Sequence, residues 1–128
     1  MTDAIGIAGS GMTMHRKWLD AIADNMANAN TVTGTDGDAF QARYIVAQES
    51  QGVSGVAAEA AFGDAEGRLV FEPNHPLADA DGYVRYPEID LAEQMGHLIM
   101  AQRGYQANAA VVDRAKTAYE AALQIGRG

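Results

Sequence analysis

The chain has 128 residues, no cysteine, and 9 Lys+Arg against 17 Asp+Glu, for a formal charge of −8. Such a length suits one domain, and the acid excess excludes binding that runs on Lys/Arg contacts to nucleic-acid phosphates or anionic lipid. The missing cysteine excludes disulfides, thiol nucleophiles and Cys-based zinc sites, no apolar run approaches the ~20 residues of a membrane span, and residues 1–20 show no basic-then-apolar pattern of a cleaved secretory signal.

Charge divides the chain into three expected segments. Residues 1–32 hold two bases against three acids, residues 33–88 three bases against ten acids, and residues 89–128 four of each. Like charges repel when packed, so the acidic middle should face solvent, while the near-neutral ends can pack closely.

The N-terminal segment reads as a helix. Ile5, Ala8, Met12, His15, Leu19, Ile22, Met26 and Ala29 alternate in steps of 3 and 4, the seam of a helix buried along one stripe. Gly6, Gly9 and Gly11 interrupt it, at about 1 kcal/mol each relative to Ala. The first turn and a half is therefore expected to be unordered in a free monomer and to order on packing. Three asparagines close this helix, in Asp24-Asn25-Met26-Ala27-Asn28-Ala29-Asn30. Asn30 suits a left-handed helix stop. Asn25 and Asn28 have two readings: local capping, or amides bridging to a neighbouring helix or subunit with Arg103 and Asn108 as counterparts.

The middle segment reads as short strands between turns. Phe40–Val46 is β-branched and aromatic, Val53–Phe62 is a weaker strand, and Leu69–Phe71 and Tyr83–Tyr86 flank the loop Pro73-Asn74-His75-Pro76.

The C-terminal segment is the stronger helix. Asp90 and Glu93 have capping-box spacing. Leu91, Met95, Leu98, Gln102, Tyr105, Ala109, Val112, Lys116, Tyr119 and Leu123 then alternate by 4 and 3, and Gly126 and Gly128 are expected to end the run. About 35 residues make a rod of roughly 50 Å. A second stripe, Val111, Ala115, Ala118, Ala122 and Ile125, implies burial between several neighbours. The expected fold is α+β: two long terminal helices packed as a coiled-coil-like hairpin around a small β-rich insertion. Seams this small make a poor independent core, so the chain reads as a subunit of an assembly.

Chemical motifs are weak. With Gly82 at the sixth position of a calcium loop, Asp79, Asp81 and Glu88 fall in place, but the first ligand position is Leu77 and Pro87 breaks the exit, so an acidic turn is the better reading. Gly6, Gly9 and Gly11 match no phosphate-binding pattern, and His15, His75 and His97 lie in three different segments with no second histidine at i,i+4. Ser10, Ser50 and Ser54 lie in no nucleophile elbow, and Met12, Met26 and Met95 sit on seams. No enzyme, metal or cofactor is expected.

Ala23-Asp24-Asn25-Met26-Ala27-Asn28-Ala29-Asn30-Thr31 resembles the N-terminal signature of bacterial flagellar axial proteins, the rod and hook family. Four further blocks carry the match over nearly the whole chain: Ile7–Met12; Val32–Gly37 with Phe40–Arg43; Glu72–Ala78 with Gly82–Pro87; and Arg103–Asn108. The stretch Gln51–Gly67 and Trp18 depart from the pattern. The resemblance implies a structural subunit of the proximal rod of the flagellar basal body, outside the inner membrane, that assembles helically through its terminal helices and transmits torque. It implies other rod proteins, the rod–ring junction and the flagellar type III export apparatus as partners, with no nucleic acid and no small-molecule substrate. The assembly interface would comprise Ile5, Met12, Leu19, Ile22, Asn25, Met26 and Asn28 with Leu91, Met95, Leu98, Arg103, Tyr105, Asn108, Val112, Tyr119 and Leu123. The rival reading is a secreted helical hairpin that binds a partner, which predicts a defined dimer and leaves the β insertion without a role.

Overall fold

A computed structural model describes residues 2–51 and 55–127. Its elements run α1 (Thr2–Asn28), β1 (Arg43–Glu49), β2 (Val56–Phe62), β3 (Arg68–Phe71), β4 (Tyr83–Tyr86) and α2 (Leu91–Arg127). This is the expected α+β order of helix, β insertion and helix. β1 pairs with β2 in one two-stranded sheet and β3 with β4 in another. The chain forms two compact units, each drawing on both helices: Met1–Leu19, Ile45–Glu59 and Ile99–Gly128 make the first, and Asp20–Tyr44 and Ala60–Leu98 the second. They cut across the three segments marked by charge.

In the first unit the helices are antiparallel, with Gly11 against Asn108 and His15 against Gly104. Helix α1 runs from Thr2 straight through its three glycines. The tip of the β1–β2 hairpin is fastened to it by Ser10, whose hydroxyl donates to the Ile7 carbonyl (2.7 Å) and accepts from the Val56 N–H (2.9 Å). Gly55 allows that approach: at φ +143° it occupies backbone space closed to other residues, and a Cβ there would stand 2.7 Å from Ser10 Oγ. Residues 53 and 54 of the expected strand Val53–Phe62 lie outside the described residues.

The second unit holds the larger buried side chains. Ile22, Val84, Asn25 and Pro87 are under 2% exposed. Strands β3 and β4 are antiparallel, Arg68 opposite Tyr86 and Phe71 opposite Tyr83, and Thr33 extends them by exchanging both backbone hydrogen bonds with Arg85 at 2.9 Å. The Arg85 guanidinium then donates to the carbonyls of Glu66 and Thr35, holding two connections to β4. Strand β1 begins at Arg43 rather than at Phe40. Ala39 and Ala42 are buried, the Ala39 N–H is spent on the Ala65 carbonyl, and both backbone groups of Arg43 are taken by Asn25.

Among the described residues the buried aliphatic side chains are six alanines, Ile22 and Val84. Burial is worth roughly 25 cal/mol per Å² of apolar area, and alanine offers one methyl group. The helices can approach closely but gain little from doing so.

Two expected helix ends differ. Among the described residues no non-glycine residue has positive φ, so Asn30 is not a left-handed stop; α1 ends in a turn closed by the Thr31 N–H on the Asn28 carbonyl (3.0 Å). Helix α2 continues through Gly126, which does not take positive φ, to Arg127, and Gly128 lies outside the described residues. At the start of α2 Asp90 is the cap, its Oδ1 accepting from the Ala92 N–H at 2.9 Å rather than from the N–H of Glu93 as capping-box spacing implies.

Candidate assembly surface

The α1 seam lies inside. Ala8, Ile22 and Ala29 are buried, and Ile5, Met12, His15, Leu19 and Met26 are half-buried. Of the α1 residues assigned to an assembly interface, Ile22 and Asn25 are therefore spent within the chain.

Asn25 is 1% exposed. Its amide donates to the Arg43 carbonyl (2.8 Å) and to Gln94 Oε1 on α2 (3.0 Å), and its oxygen accepts from the Arg43 N–H (2.7 Å). An inter-helix bond was one of the two readings for this residue, but its partners are Gln94 and Arg43 instead of Arg103 and Asn108. A strand residue points its N–H and C=O to the same side, so the Asn25 side chain stands where another strand would lie. Asn28 follows the other reading. It donates to its own helix at the Asp24 carbonyl (2.8 Å) and accepts from Thr31 Oγ1 (3.2 Å). Asn108 likewise bonds its own helix, at the Gly104 carbonyl (2.8 Å), and Arg103 is exposed.

Helix α2 presents a different stripe from the one expected. Its buried and half-buried positions are Gln94, His97, Leu98, Ala101, Gly104, Tyr105, Asn108, Ala109, Val112 and Ala115. Leu98, Tyr105 and Val112 belong to the expected seam, but Leu91, Met95, Tyr119 and Leu123 are exposed. In the second unit Leu91 and Met95 face outward, and in the first so do Ile99, Met100, Val111, Tyr119, Leu123 and Ile125, the last at 83% exposure. Every described residue from Lys116 onward is exposed, three turns of helix beyond the last position covered by α1. Isolated apolar residues on a surface are ordinary, but a run of them along one helix marks an interaction face. The sequence reading missed Ile99 and Met100, which fall off the 3–4 seam, and Ile7 on α1, at 43% exposure.

The calcium-like loop is an acidic turn. Asp79 Oδ1 accepts from the N–H groups of Asp81 (3.0 Å) and Tyr83 (2.9 Å), and Oδ2 accepts from Thr35 Oγ1 (2.8 Å). The Tyr83 N–H and then the Thr35 hydroxyl favour the charged form most, holding the carboxyl below its ordinary range. Both oxygens already serve the chain. In the same unit Tyr86 donates to Glu72 at 2.8 Å, which raises the phenol's pKa chiefly because that bond needs the proton.

Helix packing and turn closure thus account for Asn25, Asn28, Asp79 and Asn108, and α2 leaves large apolar side chains exposed. That defines a protein whose work is to pack against others. Two family models match it in this sense: flagella basal body rod protein over residues 5–34, and the C-terminal region of flagellar basal body rod FlgEFG proteins over residues 80–125. Over 126 residues the chain is 42% identical to the flagellar basal-body rod protein FlgC of Yersinia enterocolitica and 39% to that of Salmonella typhimurium, covering 94% of each chain. FlgC of Bacillus subtilis is 26% identical over 145 residues, 97% of both chains. The chain belongs to the FlgC family of flagellar basal-body rod proteins. It is a structural subunit of the basal-body rod and is not an enzyme.

Proposed function

We propose that this chain adds to the proximal rod by coupled folding and assembly, with α1 and α2 meshed against the helices of neighbouring subunits. The observation that carries this is the exposed apolar residues of α2 together with its last three turns, which no described part of the chain covers. A heterologous contact between such helices leaves a free face on each new subunit and so grows a helical structure instead of closing a ring. Helices held by several neighbours on several faces resist being turned past one another, which is how the assembled helices carry torque. The partners would be further copies, other rod proteins and the rod–ring junction, with delivery as an unfolded chain by the flagellar export apparatus. An alanine-dominated core suits such delivery, because little burial energy must be given up to unfold it.

The interface assigned to assembly narrows to Leu91, Met95, Arg103, Tyr119 and Leu123 on α2, with Ile99, Met100, Val111 and Ile125 added there and Ile7 on α1. Circular dichroism tests the proposal. The two helices span 27 and 37 residues, half of the chain. The isolated monomer should show clearly less helix than that and gain it on assembly. A monomer that holds the full helix content and stays monomeric at high concentration would overturn it, and a closed dimer would favour the partner-binding hairpin.

A further inference from the structure

Where the helices meet in the first unit, each contributes a glycine and, four residues later, a polar side chain: Gly11 and His15 on α1, Gly104 and Asn108 on α2. Each polar side chain is tied to the carbonyl of its own glycine. His15 Nδ1 bonds Gly11 O at 2.8 Å, and because a carbonyl only accepts, Nδ1 carries the hydrogen; Asn108 Nδ2 donates to Gly104 O, also at 2.8 Å. Each then fills the space over the opposite glycine. A Cβ on Gly104 would run into the His15 ring, and a Cβ on Gly11 would stand 2.7 Å from Asn108 Oδ1. Because both side chains are tied down at their own helix, neither can swing aside without losing a bond.

We propose that this reciprocal exchange of plugs and sockets sets the axial register of α1 against α2 and thereby decides which residues of α2 face outward. It deepens the assembly reading and rests on it for its consequence. A slip of one turn, about 5.4 Å, would bring Met100 or Asn108 under the His15 ring in place of Gly104. A slip of two turns would bring Gly96 under His15, but it would set Met100 against Gly11 in place of Asn108. Only the observed register gives each plug a glycine. Gly6, Gly9 and Gly96 have nothing within 4 Å of a Cβ position and are not sockets.

The test uses the absence of native cysteine. Arg16 and Tyr105 line one groove of about 270 Å³ with Gly9, Met12 and Thr13, so the full chain carrying R16C and Y105C should be bridged within itself by a short bismaleimide, in isolated basal bodies or as soluble protein. Adding G104A should cut that link about tenfold, as overpacking of a tight contact does. Adding H15A to G104A should restore most of it, since removing the plug makes room for the new methyl, whereas a merely destabilising role would lower the yield again. G96A should leave the link unchanged and serves as the folding control. Retention of the link in G104A, failure of H15A to rescue it, or no link in either preparation of the parent pair would overturn the proposal. The readout lies within one chain, so failure of the assembly reading, seen as rods that still form with Leu123→Glu, would leave the cross-link result standing by itself.

Discussion

Helices α1 and α2 carry the same 3–4 periodicity and use it in opposite ways. On α1 the stripe from Ile5 to Ala29 turns inward at every position. On α2 the inward line mixes Leu98, Tyr105 and Val112 with small and polar residues such as Gln94, Ala101, Gly104 and Asn108, while Leu91, Met95, Ile99, Met100, Leu123 and Ile125 are exposed. Periodicity reports that a helix has partners; it does not say whether they belong to the same chain. Here the side chains with most to gain from burial are left for other molecules, and the intrachain contact is built from residues that let backbones come close.

That contrast can be broken hardest at Asn25. Replacing it with Ala leaves both backbone groups of Arg43, which are part-buried, and the buried Gln94 amide oxygen short of a partner. At 1–3 kcal/mol for each unsatisfied group, the loss should reach about 4 kcal/mol in urea unfolding, enough to melt the second unit if its stability is ordinary. Ile22→Ala should cost about 3 kcal/mol by the same measurement, because the side chain is 1% exposed. The matching truncation on α2, Leu123→Ala, should move monomer stability by less than about 0.5 kcal/mol yet lower incorporation into rods, scored by motility of cells in which it is the sole copy. Gly96→Ala sharpens the comparison in the other direction. Nothing packs on Gly96, so the helix should gain up to about 1 kcal/mol in thermal unfolding.

The smallest expected effect is an acid limb in the second unit. Asp79 has a lowered pKa in the fold, so its contribution is fully present above the unfolded value of ~3.9 and is lost as pH falls through the lower folded value. Asp79→Asn should flatten the stability-versus-pH curve in that range and lower the plateau above it, where the carboxylate's contribution is fully present.

The helices, the strand order and the turn at Asp79 were legible in the sequence because each rests on local chemistry: spacing, β-branched content, and an Asp two residues before the N–H it accepts. The inward face of α2 was not. A search for apolar spacing favours Leu91, Met95 and Leu123, whereas the true contact selects for the lack of a side chain at Gly104 and for shape at Asn108. Nor were the partners of Asn25 legible, since the register that brings Gln94 opposite it depends on how the helices lock and not on the length of the insertion between them. Asn28 and Asn108, which bond four residues back, were open to a purely local reading all along.

Ser10 joins two pieces of chain far apart in sequence through a single hydroxyl, receiving from Val56 while giving to Ile7. The turn from Ile7 to Ser10 fixes the direction of that hydroxyl, so its winding and the seating of the hairpin tip favour each other. A subunit whose first residues have been clasped by a neighbour would thereby announce it on its outer strands, and the next arrival would meet a finished surface only on subunits already in place.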